Sequence, residues 1–297
     1  MFRRAFLIGV TSVAMLATWP TWAQDRPRVV AVNYALQYFA ERLLGDAADV
    51  VFPVPDGVDP SFWRPTIADI SMIQSADLIL LNGAGFATWV DRVSLPRSKV
   101  VNTSASIEDK YIVTESITHS HGDGGEHSHD GLASYLWLDP LLAIAQAEAI
   151  SSSIKRRGLA PAVEIDERFQ ALKADLEALD NRARESLSDK PVSVIVTHPR
   201  YQYFARRYGI TVKSLEWEAG TAPTPEEGKE LVALSEASGA KILVWEAAPP
   251  QAALDLAESF RLKSAVFPPL ARRPESGDFL ESYNAFLDDF VAAQSGN

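Results

Sequence analysis

Short apolar runs recur along the chain, and most are followed by a stretch with helical spacing. Residues 28–32, Arg-Val-Val-Ala-Val, read as a buried strand, and residues 35–45 as the helix after it. The pattern continues with a strand at 49–54, a helix at 65–75, a strand at 77–81, a helix at 86–93 and a strand at 99–102. A polar stretch interrupts it, and residues 140–157 then form a helix. Residues 163–187 read as one long helix, with Phe169, Leu172, Leu176 and Leu179 on a single stripe. The alternation restarts with strands at 192–196, 211–215, 241–245 and 264–267, and helices at 201–208, 224–237, 252–259 and 278–293. Continuous apolar strands alternating with helices predict mostly parallel sheets flanked by helices. The expected architecture is α/β in two lobes bridged by one long helix. The predicted divisions are an N-terminal lobe at 24–160, a linking helix at 161–190 and a C-terminal lobe at 191–297.

The first residues change the compartment. Arg3 and Arg4 precede an apolar run from Phe6 to Ala17, and Trp22-Ala23 ends the segment. This predicts a signal peptide over 1–23, with export by the general route or, from the paired arginines, the twin-arginine route. The apolar run is shorter than the ~20 residues a membrane span needs. The sequence contains no cysteine, so it offers neither a disulfide nor a thiol for lipid attachment. The expectation is a periplasmic protein without a lipid anchor. Removing Arg3 and Arg4 leaves 26 basic against 39 acidic residues, a net charge of −13. A surface that acidic argues against nucleic-acid binding.

Candidate chemistry is concentrated in one window. Four of the five histidines lie within His119-Ser-His121-Gly-Asp-Gly-Gly-Glu-His127-Ser-His129. In extended backbone, residues two apart point to the same side, so each His-x-His pair presents its rings together. Gly122, Gly124 and Gly125 allow the chain to fold back, which lets both pairs converge on one ion. The fifth histidine, His198, follows the strand at 192–196. Ligands of open parallel sheets gather beyond the carboxyl ends of the strands. There the first half offers Asn33, the Asp59-Pro-Ser61 turn and Asn82, and the second offers His198, Glu216, Glu218 and Glu246. Asn33 and Asn82 fit turn or cap positions, and Trp217 and Trp245 fit packing. The predicted metal set is His119, His121, His127, His129, His198 and Glu246, with Glu218 and Tyr135 as weaker candidates. Nitrogen and oxygen donors without thiolate suit zinc, with copper, nickel or manganese as alternatives. The sequence has no His-x-x-x-His, no Gly-x-Ser-x-Gly and no Cys nucleophile, which argues against an enzyme.

Several strings carry a resemblance: Pro55-Asp-Gly-Val-Asp-Pro60, Pro65-Thr-Ile-Ala-Asp69, Ala76-Asp77-Leu-Ile, Trp137-Leu-Asp-Pro140, and Thr197-His198-Pro before Tyr203-Phe-Ala-Arg-Arg-Tyr-Gly209. Together with the long helix they resemble the metal-binding solute-binding proteins of zinc- and manganese-type ABC importers. The resemblance implies a divalent metal as ligand, a membrane permease of the importer as partner, and a monomeric protein; a periplasmic metallochaperone is a further possible partner. It also implies four metal ligands in the cleft. By motif these fall on Ser61, Tyr135, His198 and a position near Pro268, so only the histidine is kept. Two arrangements could compensate. The His-rich loop, 118–131, could reach into the cleft beside His198, with Glu246, Glu216 or Glu218 adding an oxygen. Alternatively the loop binds metal alone. Other roles consistent with the sequence are a periplasmic metal sink or chaperone uncoupled from import, or a relative that has lost the cleft site.

Overall fold

The computed structural model describes residues 26–114, 118–120, 126–128, 131–187, 192–217 and 220–295. The expected signal segment, 1–23, lies outside the described residues.

Two four-stranded, all-parallel sheets form the framework. The first contains β1 (Arg28–Ala31), β2 (Asp49–Val51), β3 (Leu78–Leu81) and β4 (Val100–Asn102), in the order β2-β1-β3-β4. A two-stranded antiparallel hairpin follows, β5 (Thr118–Ser120) with β6 (Glu126–Ser128). The second sheet contains β7 (Ser193–Val196), β8 (Thr211–Ser214), β9 (Ile242–Trp245) and β10 (Lys263–Val266), in the order β10-β9-β7-β8. Read from β8, the second sheet repeats the order of the first. Each sheet therefore has its switch point between its first and third strands, where open α/β sheets leave a crevice. The α/β class and the two parallel sheets match the sequence reading.

The helices begin and end where local chemistry directs. They are α1 (Tyr34–Leu44), α2 (Ile67–Ser75), α3 (Pro140–Arg157), α4 (Ala162–Leu187), α5 (Gln202–Tyr208), α6 (Pro225–Ser238), α7 (Gln251–Ser259) and α8 (Phe279–Ser295). Thr66 with Asp69 and Thr224 with Glu227 close capping boxes on α2 and α6. Asp139 caps α3 through a 3.0 Å bond to the Leu141 amide, followed by Pro140 at the first helical position. Helix α4 buries Leu172, Leu176, Leu179 and Ala183 and packs on α1, α3, α5 and α8, so it touches both lobes. One continuous apolar core runs from Val30 and Phe39 through Trp137 to Phe267 and Phe286. No helix among the described residues is long and apolar enough to cross a membrane.

Two expectations need correction. The strand expected at 49–54 stops at Val51, because Pro53 and Pro55 have no N–H for the ladder. The helix expected at 86–93 is only a single 3₁₀ turn, Val90–Arg92. Thr88 donates both its amide and its hydroxyl to the Ser61 carbonyl, at 3.3 and 3.2 Å. Phe86 and Trp89 are buried against Tyr135, Trp137 and Trp63. A long-range partner and aromatic anchors thus override the helical spacing.

Candidate functional site

The carboxyl ends of the two sheets meet in a buried polar seam. From the first lobe come Asp59 and Ser61, on the turn between β2 and α2, and Tyr135, just before α3. The Asp59 carboxylate accepts the Ser61 amide at 2.8 Å, which shapes this turn. From the second lobe come His198 and Arg200, between β7 and α5, and Glu246, directly after β9. His198 and Arg200 are buried because β7 delivers them inward. The chain then bends tightly, with the Arg200 amide bonded to the His198 carbonyl at 2.9 Å. Glu246 is fixed by its amide, which donates to the Thr197 hydroxyl at 3.1 Å.

Arg200 is the centre of this seam. Its guanidinium lies 2.7 Å from Asp59 Oδ2 across the lobes and 2.9 Å from Glu246 Oε2 within its own lobe. It also donates to the Tyr135 hydroxyl and stacks over that ring, 5.1 Å from Cζ to the centroid. Tyr135 and Ser61 complete the set, their hydroxyls 3.3 Å apart. The Arg200 side chain is only 10% exposed and Glu246 12%, so the charges sit in a low-dielectric setting.

The electrostatics follow from that burial. Burial pushes the Asp59 carboxyl up, but the Arg200 charge and hydrogen bond outweigh it, and the group is held at about 2. Burial would lower Arg200, but Asp59 and Glu246 raise it well above its ordinary value, so it is a permanent cation. Burial raises the Tyr135 phenol, against the opposing pull of Arg200, so it stays protonated. The Arg200 guanidinium already engages both carboxylates and offsets one of their two negative charges, and Ser61 and Tyr135 offer only neutral hydroxyls to a divalent ion. Among the described residues, no group of three or more His, Asp or Glu side chains is placed to hold a metal.

The other sequence candidates are scattered. Asn33 is the cap of α1, accepting the Leu36 amide at 2.9 Å, and Asn82 bonds the Ser134 carbonyl. Both belong to a buried network at the first switch point with Gln146 and Thr103. Trp217 and Trp245 pack together with ring centroids 5.8 Å apart. Glu216 is exposed, just after the edge strand β8. His121, His129 and Glu218 lie outside the described residues. His119 and His127 fall on β5 and β6, whose register opposes them directly. The hairpin is anchored at its base by a bridge between Val113 and Leu132 and by the Thr114 amide bonding the Gly131 carbonyl at 2.7 Å.

Sequence reasoning missed Arg200. The available signal was its position: a long cation four residues past the buried strand β7 and directly after Pro199, where a charged side chain needs buried partners.

Comparison with known proteins agrees with the fold. The family model of ZnuA, "Zinc-uptake complex component A periplasmic", matches residues 29–293. The high-affinity zinc uptake system protein ZnuA of Bacillus subtilis is 26% identical over 207 residues, 68% of this chain and 64% of that protein. The zinc-binding protein AdcA of Streptococcus pyogenes serotype M1 is 27% identical over 292 residues, 90% of this chain and 56% of its own length. The chain thus spans roughly half to two thirds of these relatives. Among solved structures, the metal-dependent lipoprotein YcdH of Bacillus subtilis superposes with a TM-score of 0.76 at 21% identity, over 90% of this chain and 99% of that one. FpvC of Pseudomonas aeruginosa in complex with Mn²⁺ gives 0.70 at 22% identity, over 92% of this chain and all of that one.

Proposed function

The chain belongs to the ZnuA family of zinc-uptake component A proteins, and we propose that it is the periplasmic, monomeric solute-binding component of an ABC importer, with zinc as its cargo and the membrane permease as its partner. The capturing groups on this reading are His119, His121, His127 and His129. The observation that carries it is the hairpin register, in which β5 and β6 set His119 opposite His127. Opposed residues of an antiparallel pair share a face, with Cβ atoms about 4.5–5.5 Å apart. That spacing suits two imidazoles closing on one ion, and His121 and His129 follow two residues after each. The names of the relatives support zinc as cargo.

The test is metal analysis and calorimetric titration of the chain carrying Ala at all four positions. Zinc affinity should fall by more than about tenfold, or 1.4 kcal/mol. Unchanged affinity would overturn the assignment of the hairpin as the capturing site.

A further inference from the structure

We infer that Arg200 is a built-in cation that occupies the interlobe seam in place of cargo, so that the lobes stay tied together without metal and the cleft admits no divalent ion. The inference goes beyond the proposed role of the hairpin and does not depend on it.

The argument begins with the acids. Asp59 and Glu246 come from opposite lobes, with side chains 28% and 12% exposed. Such carboxylates need a counter-charge, and the chain itself places one cation, Arg200, against both of them. The guanidinium contacts both, at 2.7 and 2.9 Å, and its remaining face meets the Tyr135 hydroxyl and ring. Arg200 belongs to the second lobe, whereas Asp59 and Tyr135 belong to the first, so these contacts bridge the lobes. Nearby uncharged ties reinforce them: the Trp137 indole donates to the Pro269 carbonyl at 2.8 Å, and the Tyr203 hydroxyl to the Ala133 carbonyl at 2.9 Å. A divalent ion entering here would have to displace a cation that no accessible pH removes.

Amide hydrogen exchange on the unsubstituted chain, with EDTA and then with saturating zinc, tests this directly. The segments 59–63 and 133–138 report the seam. Their exchange should be equally slow in both conditions. In metal-free Arg200→Gln, which removes the charge but keeps a polar side chain, the same segments should exchange at least about tenfold faster. Added guanidinium chloride at low millimolar concentration should restore part of the protection when sodium chloride does not. Zinc protection of these segments by tenfold or more in the unsubstituted chain overturns the inference, and so does an Arg200→Gln protein with unchanged exchange. If Arg200→Gln does not fold, the comparison of EDTA with zinc decides alone. Loss of zinc binding in the four-histidine variant bears on the hairpin and leaves this result untouched.

Discussion

Asp180 on helix α4 makes a buried ion pair with Arg207 of the second lobe, and neutralising it should cost a measurable part of the stability. Asp180 has a side chain only 7% exposed and receives two bonds from Arg207, at 2.8 and 2.6 Å. It also accepts the Tyr208 hydroxyl at 3.1 Å and Arg184 Nε at 3.1 Å. Asp180→Asn keeps the volume but removes the charge and the paired acceptor geometry. Removing one partner of a buried ion pair costs about 3–5 kcal/mol. The lower end applies here, because Arg207 keeps Asp139 within 3.8 Å and is 16% exposed. At about 3 kcal/mol, and roughly 2–4 °C per kcal/mol for a chain of this size, the melting temperature should fall by ~6–12 °C at pH 7. The pH dependence gives a second reading. Burial pushes Asp180 up, but hydrogen bonds and charge from Arg207 and the bonds from Tyr208 and Arg184 bring it below its ordinary value of 3.8. A carboxyl lowered in the folded state stabilises fully above its unfolded pKa and ceases to do so as the pH falls through the lowered value. The difference between the two proteins should therefore narrow below about pH 4. Thermal unfolding followed by circular dichroism at pH 7 and pH 3 measures both. A shift under ~2 °C at pH 7, or an equal shift at pH 3, would refute the reasoning.

Further outcomes follow from the same structure. Gly83 has φ +79°, and a Cβ there would lie 2.2 Å from Ser104 Oγ and 2.4 Å from Asn102 Oδ1. Ser104 cannot swing aside cheaply because it bonds the Asn82 carbonyl and the Tyr111 hydroxyl, both at 2.6 Å, so Gly83→Ala should lose about 2–4 kcal/mol in urea unfolding. Zinc affinity should drop by more than about one power of ten per unit as pH falls from about 7.5 to 5.5, since several imidazoles titrating near ~6.5 must be neutral to bind. A flat calorimetric profile over that range would point to carboxylate ligands instead.

The fold was legible because most strands are compact apolar runs and several helices carry a start signal of their own. Thr66 with Asp69, Asp139 with Pro140, and Thr224 with Pro225 and Glu227 mark starts that the structure keeps. Local signals failed where a distant partner intervened. The stretch 86–93 has helical spacing, yet Thr88 spends its donors on Ser61, 27 positions earlier. The seam was less legible for the same reason. Its parts stand at 59, 61, 135, 200 and 246, and no local pattern links them. Ligand chemistry draws attention to histidines and acids, so His198 and Glu246 stood out and the arginine that contacts both acids did not. The long helix, by contrast, was visible from end to end, because Leu172, Leu176 and Leu179 recur at the spacing that a buried stripe requires.

The two proposals for this chain connect through energy. For a metal to reach the carboxylates of the seam, Arg200 must first leave Asp59 and Glu246. Uncoupling a buried pair costs about 3–5 kcal/mol, which lowers the apparent affinity for any incoming ion by roughly two to three and a half powers of ten. A hairpin of opposed histidines bears no such penalty. It is anchored at its base by Val113 and Leu132. An ion offered both positions therefore meets a resident cation only at the seam. On the proposed reading the hairpin captures the ion while Arg200 holds the seam. Capture and lobe closure, joined in a protein whose cleft binds the cargo, become separate tasks carried by separate residues.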